Sequence, residues 1–408
     1  MSKTREEEVM LESVLEAHNL RRAWKAVKAN AGAAGVDGRD IEHTRSHLKG
    51  HWAVIAQKLR AGQYRPGAVR EVPIPKANGG VRMLGIPNVQ DRLIQQAILQ
   101  VLTPVFDPGM SEHSYGFRPG RSAHDALDAA RAYVAAGKTW VVDIDLKSFF
   151  DQVDHDKLMH AVSRQVRDKN LLRLIGGYLR APMQAVDGGQ RARNRGTPQG
   201  GPLSPLLANI YLHPLDCELA RRGVAFVRYA DDIAIFAGSE RAAKRILASV
   251  VAWVEKKLKI EVNRDKSGTG LSCDTQLLGF RIHGASEVSV APKALKRMKE
   301  NIREIWERRR HLTEDELKRR WRSYIEGWWN YFRYATRREG VTALSGWIRR
   351  HMRKYFWQRW HNPKGRANAL RRLGVRGRGV GVAWSRRGAW PMARHVVVQQ
   401  ALKTIRLQ

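Results

Sequence analysis

Two stretches of the sequence set carboxylates where they could hold a cation. In WVVDIDLKSFFD (140–151), Val142, Ile144 and Leu146 alternate with Val141, Asp143 and Asp145. That is strand periodicity with one apolar face, so both acids point the same way at the end of a half-buried strand. In AFVRYADDIAIFA (225–237), Asp231 and Asp232 lie between two apolar arms, a β-hairpin with adjacent acids at its tip. Asp-Asp in a turn is an ordinary surface feature when it stands alone. Here an acid-tipped strand accompanies an acid-tipped hairpin in a chain with 73 Lys and Arg against 39 Asp and Glu. Clustered acids repel one another unless a cation joins them, so the pairing suggests bound metal. The chemistry that needs these residue types is nucleotidyl transfer: a 3′-hydroxyl must become nucleophilic and a pyrophosphate must leave. Two Mg²⁺ about 3.5–4 Å apart serve both ends of that displacement. Magnesium takes a few carboxylates and fills its octahedron with waters and substrate phosphates, so His and Cys ligands are not required.

The elements around these acids can be read in outline. Asn19 is a candidate N-cap for a helix over Leu20–Asn30 closed by Gly32, and residues 29–38 form a loop. EVPIPKANGGVRMLGIP (71–87) is two short strands around Asn78-Gly79, a strong hairpin signal. A helix follows over about Gln90–Leu102. Ser122 and Asp125 form a capping box opening another, and Ser204 with Pro205 opens a third, Ser204 as N-cap. Leu317, Trp321, Ile325, Trp328, Phe332 and Ala335 fall on one helical stripe.

The 408 residues suggest two to three domains, and 43% hydrophobic content makes a packed core possible. A net charge of +34 points to a polyanionic partner, nucleic acid first. From Lys293 to Gln408 there are 31 Lys and Arg against eight Asp and Glu, so +23 of the excess lies there, and no acid follows Glu339. Nine of the 13 tryptophans share this region. Basic residues interleaved with aromatics suit a phosphate backbone with stacked bases, although single tryptophans usually belong to a core. No apolar run approaches the roughly 20 residues that span a bilayer, so no membrane partner is expected. The opening MSKTREEEVM has no apolar signal stretch. Only Cys217 and Cys273 are available, too few for a disulfide scaffold or a four-Cys zinc site. The expectation is an intracellular, cytoplasmic protein.

YADD (229–232), DIDLKSFFD (143–151) and GTPQGGPLSPLLANIYL (196–212) resemble the palm blocks of group II intron reverse transcriptases. VDG (36–38), IPKANGGVRMLGIP (74–87), SYGFRPGRSAHDAL (114–127), EVNRDKSG (261–268) and LLGF (277–280) extend the resemblance, and IEGWWNYFRYA (325–335) is similar to the maturase, or thumb, region. The blocks run in family order from near residue 20 to about 360. The short C-terminal part, without the His and Cys motifs of an endonuclease module, looks most like the group IIC subclass. The resemblance implies an α+β right-hand polymerase: fingers over 1–110, a palm with an antiparallel sheet over 111–288, a helical thumb over 289–360, and a small basic C-terminal DNA-binding region over 361–408.

Carried over position by position, the resemblance makes Asp145, Asp231 and Asp232 the metal ligands for two Mg²⁺, with Asp143 and Asp151 as neighbours of lower rank. Phe150 matches a steric gate whose ring would clash with a 2′-hydroxyl, although Phe149-Phe150 could simply be core. Lys76 and Arg82, on the two hairpin arms, match triphosphate-binding residues. Gln199, in a Pro-Gln-Gly-Gly loop whose glycines permit close backbone approach, would lie beside the incoming sugar. Lys266 matches a lysine that protonates the pyrophosphate. Arg118 and Arg121 would touch template or nucleotide phosphates. The implied partners are group II intron RNA, an RNA template with a DNA primer, target DNA and dNTPs. Without an endonuclease, insertion would need a primer from elsewhere, such as a nascent strand at a replication fork. A domesticated free-standing relative in repair or defence would carry the same motifs. A non-catalytic RNA-binding splicing factor would not need three intact acids, and an RNA polymerase is disfavoured by Phe150.

Overall fold

The computed structural model describes residues 10–75, 80–284, 287–308 and 312–403. Two compact units divide the chain, Met1–Leu271 and Ser272–Gln408.

In the first unit, α1 (Leu11–Leu15), α2 (Ala17–Ala29) and α3 (Ile41–Arg60) precede a hairpin of β1 (Val69–Pro75) and β2 (Val81–Ile86). The arms pair antiparallel from Arg70 opposite Ile86 to Pro75 opposite Val81, as the Asn-Gly signal implies. Lys76 and the Asn78-Gly79 turn lie outside the described residues. Asn19 is not a cap. It sits inside α2, 3% exposed, and its side-chain amide donates to the carbonyls of Val14 and Ala97. A partner 78 residues away thus decides the role of a residue whose local preference is for helix ends.

Next come α4 (Val89–Phe106) and α5 (Ala123–Ala135), the latter opened by the expected Ser122–Asp125 capping box. The chain continues through β3 (Trp140–Asp145), α6 (Phe149–Gln152), α7 (His155–Ser163), α8 (Lys169–Arg180), β4 (Met183–Gln184) and β5 (Gln190–Arg191). Then follow α9 (Ser204–Arg221), β6 (Ala225–Tyr229), β7 (Asp232–Ala237), α10 (Glu240–Trp253) and β8 (Gly268–Leu271). One four-stranded sheet has the order β2-β1-β4-β5 and the other β6-β7-β3-β8. In the second, β3 and β6 both run antiparallel to the central β7. The first turns of α9 are buried on nearly every side, and the helix passes through the core with Leu206, Leu207, Ile210, Leu212, Leu215 and Leu219 buried. Its cap differs from expectation: Leu203 is the N-cap and Ser204 the first helical residue. The Ser204 hydroxyl donates to the Pro198 carbonyl at 2.7 Å instead of capping.

The second unit holds the β-hairpin β9 (Phe280–His283) and β10 (Glu287–Val290), followed by α11 (Pro292–Arg303), α12 (Glu314–Phe332), α13 (Glu339–Arg359), α14 (Pro363–Arg372), α15 (Ala389–Met392) and α16 (Val396–Lys403). The stripe on α12 faces inward at Leu317 and Trp321. Trp306 and Trp357 are fully buried, whereas Trp329 and Trp384 are 41% and 54% exposed. The β9–β10 hairpin belongs to the second unit, where its Phe280 ring packs on Tyr331 and Phe332 of the helical part.

Candidate active site

Strand register builds the site. β3 pairs with β7 so that Asp145 stands directly opposite Asp232, and Tyr229 of β6 pairs with the same Asp232. Ala230 and Asp231 form the turn between β6 and β7, with Ala230 in the left-handed region at φ 58°. The sequence-expected acid-tipped strand and acid-tipped hairpin are therefore neighbours in one sheet. Like charges directly opposite across a ladder destabilise it, and here the cost is visible. The pKa of Asp232 is pushed up to about 6, first by the protein packed around its carboxyl and then by Asp231 and Asp145. Its side chain still reaches solvent, so water screens part of that effect.

The end of β3 is clamped by the segment before β8. The Asp145 N–H donates to Ser267 Oγ at 2.9 Å, and the Asp145 carbonyl accepts from the Asn263 N–H at 2.9 Å. Lys266, on the same turn, sets Nζ 3.8 Å from Asp145 Oδ2. Asp143 is paired opposite Ala234 and Gly268, on the face it shares with Asp145. Asp151 is exposed on α6.

Phe150 is 9% exposed, edge-on to Phe149 with ring centroids 5.3 Å apart. Its carbonyl accepts from the Thr197 N–H at 2.7 Å, which bolts α6 to the Gly196–Gly201 loop. The same loop is tied to the other sheet, since the Gly85 N–H of β2 donates to the Gln199 carbonyl at 2.8 Å. Gly200 has φ +129°, and a Cβ there would lie 2.5 Å from the Gly85 carbonyl oxygen. The close approach that its glycine permits is thus to the β2 backbone. One loop thus carries Gln199 and holds the Phe150 backbone, and Arg82 takes the β2 position opposite Ile74. Lys76 and the Arg82 side chain lie outside the described residues.

Arg118 does not serve the role expected for it. Its side chain is 5% exposed and spends its donors on Asp107 Oδ1 at 2.7 Å and on the carbonyls of Asp107, Ser111 and Ser114. A guanidinium so enclosed, with most of its donors committed to its own chain, is a structural knot. Arg121 donates to the Glu112 carbonyl and stacks over Tyr115 at 5.4 Å while remaining partly exposed.

Sequence reasoning missed the residues beneath the acid turn. Arg228 of β6 is fully buried and forms a two-pronged pair with Asp216 of α9, Nε to Oδ1 at 2.7 Å and Nη2 to Oδ2 at 2.5 Å. Its Nη1 donates to Asn209 Oδ1 at 2.8 Å and to the Ala230 carbonyl at 3.0 Å. Asn209 in turn donates to the Gly116 carbonyl at 2.8 Å. The available signal was a lone arginine inside the apolar run AFVRY and an aspartate, Asp216, on the helix face shared by Leu212, Leu215 and Leu219; a buried charge requires a partner.

Among the described residues no three His, Cys, Asp or Glu side chains are grouped so as to hold a metal ion by themselves. The donor set nonetheless fits Mg²⁺, an oxygen-seeking cation that keeps several waters and takes one or two carboxylates with substrate phosphates. Burial first, then the neighbouring charges of Asp231 and Asp145, raise the pKa of Asp232, and a cation there would offset both.

Comparison with known proteins identifies the family. Residues 74–282 match the reverse transcriptase (RNA-dependent DNA polymerase) family, and residues 295–374 match the group II intron maturase-specific domain. Protein YkfC of Escherichia coli (strain K12) is 32% identical over 298 residues, covering 63% of this chain and 78% of that protein. Group II intron-encoded protein LtrA of Lactococcus lactis subsp. cremoris is 42% identical over 164 residues, 40% of this chain and 27% of LtrA. A chain of the partial Cas6-RT-Cas1--Cas2 complex is 27% identical with a TM-score of 0.39, covering 62% of this chain and 43% of that one. No helix among the described residues is long and apolar enough to cross a membrane. With the match to the catalytic domain spanning more than half its length and the maturase domain following in order, the chain belongs to the reverse transcriptase family, as an α+β right-hand polymerase of the group II intron reverse transcriptase/maturase type.

Proposed function

We propose that the protein copies a group II intron RNA into cDNA at Asp145, Asp231 and Asp232, and that it binds the same RNA as a maturase for splicing and retrohoming. The observation that carries the catalytic part is the register of Asp145 against Asp232, with Asp231 next in the turn. These three carboxylates would hold two Mg²⁺, which when bound would activate the primer 3′-hydroxyl and neutralise the departing pyrophosphate. The chain's own residues do the rest. Asp145 is fixed through its backbone by Ser267 and Asn263, so the carboxylate does not have to be ordered at each turnover. Lys266, exposed and beside Asp145, is placed to carry a proton to the leaving pyrophosphate. Phe150 would exclude a 2′-hydroxyl, and Gln199, on the loop that Phe150 anchors, would lie beside the sugar. Lys76 and Arg82 would receive the triphosphate.

The second unit would grip nucleic acid. Within it, α12 and α13 line a groove of about 860 Å³ where Trp328 and Trp329 stand with Arg322, Arg349 and Arg353, the aromatic and cationic mixture that suits bases and phosphates. Residues 289–360 would be the thumb and 361–408 a DNA-binding region engaging the target. The N-terminal unit would contain fingers and palm.

The test is extension of a DNA primer on an RNA template with Mg²⁺ and either dNTPs or NTPs. Extension with dNTPs that disappears in Asp231→Ala supports the assignment; undiminished extension by that variant removes it.

A further inference from the structure

We infer that Arg228 and Asp216 form a positioning pair that sets the geometry of the Ala230-Asp231-Asp232 turn; this rests on the reading of those acids as the metal ligands. The two side chains are wholly enclosed, 0% exposed each. Burying an ion pair is rarely worth its desolvation, and well-packed apolar residues of similar size often stabilise as well or better. A pair kept at such a place therefore calls for a reason besides stability, and its remaining hydrogen bonds supply one. After both prongs are spent on Asp216, Arg228 Nη1 reaches the Ala230 carbonyl at 3.0 Å, the peptide that leads directly into Asp231. Ala230 is a non-glycine residue held at φ 58°, a conformation that costs about 1 kcal/mol and persists only where its surroundings impose it.

The surroundings close on that one residue from two sides. From below, Arg228 holds its carbonyl. From beside, Gly116 abuts its nitrogen so closely that a Cβ on Gly116 would lie 2.3 Å away. Asn209 ties the two sides together, accepting from Arg228 and donating to the Gly116 carbonyl. The strand-like segment that carries Gly116 is itself registered on β6, since Arg228 N–H donates to the His113 carbonyl at 2.9 Å and Tyr115 N–H to the Arg228 carbonyl at 2.8 Å. One arginine thus uses its backbone to align the flank and its side chain to fix the turn. The acid it pairs with comes from α9, the most deeply buried helix of the unit, so the turn is referenced to the rigid core. Neither Arg228 nor Asp216 would touch substrate; they act through where they hold Asp231 and Asp232.

The discriminating variant replaces both charges at once, Arg228→Met with Asp216→Leu, which leaves no uncompensated ion in the core. In the full-length protein its melting temperature and its affinity for primed RNA template should stay near wild type. The Mg²⁺ concentration giving half-maximal extension should rise about tenfold or more and kcat should fall at least as far, with KM for dNTP nearly unchanged. Gly116→Ala, which leaves the ion pair intact and displaces Ala230, should give the same pattern, and it carries the test if the double variant does not fold. A folded variant of either kind with wild-type Mg²⁺ dependence and kcat overturns the inference. Asp231→Ala is run in parallel. If it remains fully active, the metal-ligand reading itself fails; if it is inactive while the double variant is normal, only the positioning role falls.

Discussion

Asp232 makes the site sensitive to pH, and the sign follows from its environment. Its pKa of about 6 lies above the ordinary carboxylate value of 3.8. In the metal-free protein this group therefore favours folding at low pH, and its contribution is lost as pH rises from about 4 through about 6. A divalent cation prefers the ionised form, so MgCl₂ should raise the melting temperature more at about pH 8 than at about pH 5.5. Equal shifts at both would place the cation elsewhere. Two further side chains invite kinetic tests. Lys266→Ala should lower kcat about a hundredfold if the lysine delivers a proton, whereas a change below about twofold would leave it a mere neighbour of Asp145. Phe150→Ala should improve NTP use relative to dNTP use by about tenfold or more, and an unchanged ratio would reduce the ring to core packing. At this scale the acids were legible, because strand alternation and a hairpin fix where successive side chains point. Arg118 was misread for a physical reason: an arginine in a loop looks the same on paper whether its partners are phosphates or its own chain's carbonyls, and here four internal acceptors claim it.

The Gly196–Gly201 loop joins α6 to the β2-β1-β4-β5 sheet, being bonded to Phe150 of α6 on one side and to Gly85 of β2 on the other. Gly200→Ala should therefore cost about 1–3 kcal/mol in stability and weaken dNTP binding, because φ +129° and a 2.5 Å approach to Gly85 leave no room. Gly120, also at positive φ but facing open space, is the control: its alanine variant should lose only about 1–2 kcal/mol and bind dNTP normally. A Gly200 variant no worse than the control would show that the bolt between loop and β2 is dispensable. Elements with self-contained signals could be read in advance, namely the β1–β2 arms, the capping box on α5 and the stripe on α12. Asn19 and Ser204 could not. Both are good caps by local preference, and both are taken by distant or looped-back carbonyls, Ala97 for one and Pro198 for the other.

For the whole molecule, the distribution of charge governs behaviour. The region from Lys293 onward carries +23, so affinity for RNA–DNA duplex should drop by more than about tenfold between 50 and 200 mM salt. A weaker dependence in a binding titration would mean that shape and stacking dominate. Composition announced the partner class, yet it could not assign the β9–β10 hairpin to the helical unit, which the hairpin joins through the aromatic contacts of Phe280, a pairing invisible in one dimension. The clamp on Asp145 has a consequence for how the enzyme comes into being. Ser267 lies 122 residues further along the chain, and contacts of such long sequence separation form late and slowly. A ribosome-bound nascent chain that has released residue 232 but not 267 would already contain Asp145, Asp231 and Asp232 and still lack the Ser267 hydroxyl that accepts from the first of them. On the proposed assignment of Asp145, competence to polymerise would be deferred until the first unit is essentially complete.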